Sequence, residues 1–219
     1  MALFRKETKD EYDREAILKS GEKAERKGDR PKAVAEYEKV LRWEPENRTL
    51  HLKMAVLCAE DRRDAEAWAH FVAAAEGHVK DGFLDKAVAV YTQASAYLST
   101  RVDLWSALCD LHVRRGRRAD GVKACLDGRR AFRKLTQHQQ ASQLLRRALE
   151  IEPFHVEATL DLARLRRRTG GREEARRLLH GIAVRNHGTA LRRIRAAQVR
   201  LSPTPAAMWR WLRAALARS

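Results

Sequence analysis

Apolar and small residues return along this chain at helical spacing and in a fixed register. Steps of 5, 9 and 12 positions from Gly28 reach Ala33, Tyr37 and Val40. The same steps from Gly82 reach Ala87, Tyr91 and Ala94, from Thr136 Ala141, Leu145 and Ala148, and from Gly170 Ala175, Leu179 and Ile182. Seven positions before these anchors stand Gly21, Ala75, Arg129 and Ala163, three of them small. Such spacing places the apolar side chains on one helix face, and a small residue on the preceding helix lets two backbones approach. The pattern predicts antiparallel helix pairs, each turned at a glycine or a short polar stretch. Pro45 and Pro153 close two of the second helices, because proline cannot continue the hydrogen-bond ladder.

A second regularity lies beneath the first. Shifting the chain by 54 residues aligns His51 with Trp105, Met54 with Leu108, Ala65 with Ala119, Ala87 with Ala141, Tyr91 with Leu145 and Ala94 with Ala148. The middle is therefore a duplicated three-helix block, 48–101 and 102–155. Its central helix, about 63–81 and 118–135, serves as second helix of one pair and first helix of the next. Complete units begin near Arg14, Trp68, Val122 and Val156. Toward the end, Leu191, Ile194, Ala197 and Leu201 share a face of a helix over 188–201. Thr204 and Pro205 then offer an N-cap and a first-turn proline for a last helix, and residues 1–10 are expected to fray.

The segment Arg14–Asn47 joins Gly21, Gly28-Asp29, Ala33, Tyr37 and Pro45, and in that combination it resembles the tetratricopeptide repeat family. The resemblance covers residues 12–187, with Val156–His187 the next clearest copy. Arg129 and Arg166 depart from it, standing where the family has small or apolar residues. The implied fold is all-α, a right-handed helical-repeat solenoid of about twelve helices. Units near 14–47, 48–101, 102–155 and 156–187 make up a solenoid over 11–187, closed by capping helices over 188–219.

Composition excludes several other classes. Hydrophobic residues make up 44% of the chain, too many for a disordered basic tail. The longest uncharged stretch, Ala87 to Thr100, is too short to span a bilayer. The opening Met-Ala-Leu-Phe-Arg-Lys lacks the apolar run of a signal peptide. Cys58, Cys109 and Cys125 are odd in number and show no CxxC spacing, so neither a disulfide framework nor a zinc site is expected, and a reducing cytoplasm is the implied location. No phosphate loop, nucleophile elbow, HExxH or EF-hand sequence occurs. His51, His78 and His112 fall in the core register. An enzyme, a metal site and a cofactor are all unexpected.

Charge is where the chain becomes specific. The net charge is +16, yet residues 1–100 hold 18 basic and 19 acidic side chains. All the excess lies in residues 101–219, with 27 basic and 10 acidic. In tetratricopeptide proteins the first helix of each pair lines the inner surface, which implies Glu15, Glu22 and Glu25 there in the first unit. The later units would present Lys123, Arg130, Arg133 and Lys134, then Arg164, Arg167 and Arg168. Guanidinium groups pair bidentately with carboxylates and phosphates. The expected function is therefore a non-enzymatic scaffold or adaptor holding a protein partner through an acidic segment. Leu18 and Glu22 stand where the family's chaperone-tail clamp has Lys and Asn, which excludes that clamp for the N-terminal units.

Two alternatives arise from the same charge. The runs Arg114–Arg118 and Arg164–Arg168, with Trp105, Phe132 and Phe154 near them in sequence, suggest an RNA or polyanion binder. The last helix sets Trp209 and Trp211 beside Arg210 and Arg213, a pattern that fits either a cap on the final repeat or peripheral attachment to an anionic membrane.

Overall fold

The computed structural model describes residues 13–216, so the expected fraying of residues 1–10 lies outside the described residues. Among them the secondary structure is twelve α-helices and one 3-10 turn, with no strand. The described residues form two compact units, divided between Leu98 and Ser99. The first holds α1 (Arg14–Arg26), α2 (Arg30–Trp43), α3 (Arg48–Glu60), α4 (Asp64–Lys80) and α5 (Leu84–Tyr97). The second holds α6 (Val102–Arg114), α7 (Arg118–Ala131), α8 (His138–Ile151), α9 (Val156–Arg168), α10 (Arg172–Ala183), α11 (Gly188–Leu201) and α12 (Pro205–Leu216).

Local chemistry sets the helix ends. Asp13, Asp29 and Asn47 accept hydrogen bonds from the backbone N–H groups of Ala16, Lys32 and Leu50, and so cap α1, α2 and α3. Gly28, Gly82, Gly116 and Gly170 turn the chain between helices at φ of 74–89°, a region that L side chains avoid. The repeat register is the core register. Ala33, Tyr37 and Val40, Ala87, Tyr91 and Ala94, Ala141, Leu145 and Ala148, and Ala175, Leu179 and Ile182 are all buried.

The duplication is visible in helix boundaries. Displacing α3 by 54 residues gives the span of α6, and displacing α5 gives the span of α8. In the first unit α4 packs on both α3 and α5, and in the second α7 packs on both α6 and α8. The helix boundaries of the copies differ at one place. The central helix expected over 118–135 ends at Ala131, and a 3-10 turn over Leu135–Gln137 leads into α8. Where the first block has Gly82 at φ 78°, the second has Thr136, whose β-branched side chain is excluded from that conformation. Phe132 turns into the core instead and stops the helix.

In the second unit the last core cluster joins Leu160 and Ala163 of α9, Ala175, Leu179 and Ile182 of α10, and Ile194 and Leu201 of α11. It ties α9 to α11 on one side of α10. Helix α12 begins as its cap residues require, with the Ala207 N–H donating to Thr204 Oγ1 at 3.2 Å. It packs on α11, where Arg192 Nε donates to the Ala214 carbonyl at 3.1 Å. Of its residues only Ala207 is buried, while Met208, Trp209, Trp211, Leu212 and Leu216 stay exposed.

Candidate functional site: an arginine-rimmed cleft between α9 and α11

Helix α9 starts at His155, whose Nδ1 accepts the Ala158 N–H at 3.2 Å, and its apolar residues Leu160, Leu162, Ala163 and Leu165 turn inward. That orientation leaves Arg164 and Arg167 at the surface facing α11. A cleft of about 260 Å³ opens there, floored by Leu160, Ala163, Leu179, Ala197 and Leu201. Arg164 and Arg167 of α9 and Arg193 and Arg200 of α11 form its rim. No carboxylate among the described residues lines it.

Two of these arginines are held in place. Arg164 Nη1 pairs with Asp161 Oδ1 at 2.7 Å, and the same carboxylate meets Arg129 Nε of α7 at 3.3 Å. Arg167 Nη1 donates to the Arg200 carbonyl at 3.3 Å and spans the cleft at one end. Neither Arg193 nor Arg200 has a carboxylate partner among the described residues. Cations above an apolar floor interact more strongly with an incoming anion than they would in open water, because the wall excludes solvent on one side. The chemistry on offer is charge-assisted hydrogen bonding to carboxylate or phosphate, with an apolar surface for adjoining groups.

The expected groove residues separate into four groups. Arg164 and Arg167 meet in this cleft. Lys123 and Arg130 line a different one, of about 270 Å³, where Asp127, Glu152 and Glu157 also stand. Arg130 is ion-paired with Asp127. Arg133, Lys134 and Arg168 are exposed and line neither cleft, and Arg133 Nε donates to the Arg130 carbonyl at 3.2 Å. In the first unit, Glu15 pairs with Lys19 at 2.7 Å and Glu22 with Lys53 at 3.5 Å. Glu25 accepts the Tyr37 hydroxyl at 2.8 Å, and burial, then this hydrogen bond, hold that phenol above its usual range. Glu25 also borders a cleft shared with Arg30, Lys53 and Glu60, so that surface is mixed in charge rather than acidic.

Arg193 and Arg200 were not among the expected groove residues. A signal for them was present in the chain. Helix α11 starts 32 residues after α9, and this shift carries Arg168 onto Arg200 and Asp161 onto Arg193. Reading α11 as the first helix of a further pair, rather than as a cap, brings its arginines to the inner row.

The remaining candidates are packed or paired. Trp105 and Phe132 are buried, and the exposed Phe154 ring carries the Arg185 guanidinium 4.1 Å from its centroid. Cys58, Cys109 and Cys125 are free and buried. A hydrogen bond to Cys109, and then burial, push the Cys125 thiol up, while Cys109 as acceptor is lowered. His51 Nε2 lies 3.0 Å from the Pro45 carbonyl and its Nδ1 lies 2.9 Å from Nδ1 of His70. Among the described residues no group of three or more His, Cys, Asp or Glu side chains is placed to hold a metal ion, and no helix is long and apolar enough to cross a membrane.

The sequence model of the tetratricopeptide repeat family matches residues 132–201, which run through α8, α9, α10 and α11. No curated protein matches the chain. Among solved structures, MamA is similar at 16% identity over 92% of this chain and 89% of its own, with a TM-score of 0.28. PilF of Pseudomonas aeruginosa is similar at 14% identity over 92% and 88%, with a TM-score of 0.31. A human IFIT1 dimer with PPP-AAAA is similar at 18% identity over 84% of this chain and 44% of its own, with a TM-score of 0.33.

Proposed function

We propose, from the match of residues 132–201 to the tetratricopeptide repeat family, that the protein is a binding scaffold whose α9–α11 cleft holds an acidic segment of a partner protein. One observation carries the reading. Four arginines rim an apolar floor with no carboxylate among the described lining residues, and among the described residues only Arg164 of the four has an acidic partner. A partner's Asp or Glu side chains would meet Arg193 and Arg200, and a neighbouring apolar side chain would cover Ala197 and Leu201. Lys123, and Arg130 once drawn from Asp127, would add flanking contacts, and Arg133, Lys134 and Arg168 would speed encounter through their charge.

The experiment is fluorescence anisotropy with a labelled Asp/Glu-rich peptide carrying one leucine, at near-physiological salt. Arg193→Ala with Arg200→Ala is expected to weaken binding by about tenfold or more, the scale of losing one or two charge-assisted contacts. Unchanged affinity in that double variant overturns the assignment.

A second reading, peripheral attachment to an anionic membrane, is favoured by the exposed Met208, Trp209, Leu212 and Leu216 of α12 beside Arg210 and Arg213. Co-sedimentation with phosphatidylglycerol vesicles that is lost on Trp209→Ala with Leu212→Ala supports it, and no co-sedimentation ends it. An RNA-binding role has less behind it, since Trp105 and Phe132 are buried and the Arg185 guanidinium lies over one face of the exposed Phe154 ring.

A further inference from the structure

Helix α11 presents arginines in two directions. Arg193 and Arg200 face the cleft with α9, whereas Arg195 faces a second one, of about 590 Å³, between α10, α11 and the start of α12. Arg176, Arg177 and His180 of α10 and Arg210 of α12 line it as well. From Ala175 to Ser219 the chain has ten arginines and neither Asp nor Glu, so no neighbouring carboxylate in this stretch offsets them.

The arginines are positioned rather than merely abundant. Arg195 Nη1 donates to Gln198 Oε1 at 2.8 Å, and Gln198 Nε2 is tied to the Leu179 carbonyl at 3.2 Å. Arg176 is held by Glu173 at 2.8 Å and donates to Ser202 Oγ at 3.2 Å. Burial, and then the nearby Arg210, lower the Arg195 pKa from its usual value. Arg177 and Arg210 are exposed and free to turn toward a ligand.

We infer that the α10–α12 cleft binds a phosphate group, gripped by Arg177, Arg195 and Arg210 with His180 as a further donor. A phosphate dianion brings up to two charges and three strong acceptor oxygens to a cluster of three guanidinium groups, where a carboxylate brings one charge and two oxygens. The phosphate belongs either to a small soluble molecule or to a lipid headgroup, and both sources share this chemistry. None of the gripping residues lines the α9–α11 cleft, so the inference stands apart from the acidic-segment reading and shares only Arg210 with the membrane reading of α12.

The probe is inorganic pyrophosphate, titrated calorimetrically into the full chain at fixed ionic strength. Arg177→Ala with Arg210→Ala is expected to weaken binding about tenfold, whereas Arg193→Ala with Arg200→Ala changes it less than about twofold. Arg177→Lys with Arg210→Lys keeps the charge and recovers only part of the affinity, because lysine lacks the planar fork. Both altered residues are exposed, and circular dichroism of each variant verifies the helices. No heat of binding in the wild type, or equal loss in the two alanine pairs, overturns the inference. A second arm uses phosphatidylcholine vesicles doped with phosphatidic acid. Binding that pyrophosphate competes away assigns the phosphate to a lipid headgroup, and pyrophosphate binding without vesicle binding assigns it to a soluble molecule.

Discussion

A β-carbon placed on Gly128 would stand 2.6 Å from Cδ2 and 2.8 Å from Cβ of Trp105. The indole therefore lies directly on the α7 backbone, and its Nε1 donates to the Ser99 carbonyl at 2.8 Å. Gly21 plays the same part for Tyr37 in the first unit, where an added β-carbon would meet Cε1 at 2.5 Å. In both places a helix without a side chain at one position admits an aromatic ring from its partner.

Gly128→Ala and Gly21→Ala are each expected to lower stability by about 1–3 kcal/mol, the cost of overpacking a filled core. Gly181 in α10 provides the control, since nothing lies within 4 Å of its added β-carbon. Gly181→Ala should raise stability by up to about 1 kcal/mol through helix propensity alone. Urea unfolding midpoints of the three variants check the contrast, and a loss at Gly181 equal to that at Gly128 would contradict the packing argument.

Arg62 at φ 61° occupies, 54 residues earlier, the place of Gly116 at φ 74°. One duplicate pays for a left-handed turn with an arginine where the other has glycine. Arg62→Gly should stabilise the first unit by about 1 kcal/mol, the relief of left-handed strain less the added freedom of glycine in the unfolded chain. Gly116→Arg should cost a similar amount. Thermal unfolding of the two variants would move in opposite directions.

Burial, and next the neighbouring His51, hold His70 below the usual histidine range. Burial does the same for His78 and His112. A lowered folded-state pKa means that the unfolded chain binds more protons as the solution is acidified. These histidines therefore contribute stability that is present above about pH 6.5 and lost as the pH falls below it. His70→Gln should flatten the dependence between pH 7 and pH 5, measured by urea unfolding at each pH. An unchanged slope would show that the His51–His70 contact has no share in it.

Trp209 is 61% exposed and Trp105 only 9%. Acrylamide should quench a variant that keeps only Trp209 severalfold more strongly than one that keeps only Trp105. Equal quenching would place α12 against a covering surface.

The helix spans and their buried faces were legible before any coordinates, since Ala33, Tyr37, Ala87, Tyr91, Leu145 and Leu179 all lie in the core that their spacing implies. The 54-residue duplication was legible for the same reason, and it reproduces the spans of α3 and α5 in α6 and α8. What the spacing missed was the early end of α7, because Thr136 takes the place of a turn glycine and Phe132 finds room in the core. Also missed was the small residue of α7. The register points to Arg129, but the ring of Trp105 rests on Gly128, and Arg129 reaches out to Asp161.

The sequence by itself determined where helices run, which face of each is buried, and that positive charge gathers in the later half. Helical periodicity and hydrophobic burial are local properties with a 3.6-residue repeat, so they are readable along the chain. Only the tertiary structure decided which charges meet. Arg164 and Arg167 join Arg193 and Arg200 across the α9–α11 cleft, Lys123 and Arg130 stand beside Asp127, Glu152 and Glu157, and Arg195 faces Arg210. Whether an arginine gains a carboxylate, a second arginine or open solvent depends on the helix that packs beside it, and that is a matter of packing between residues tens of positions apart.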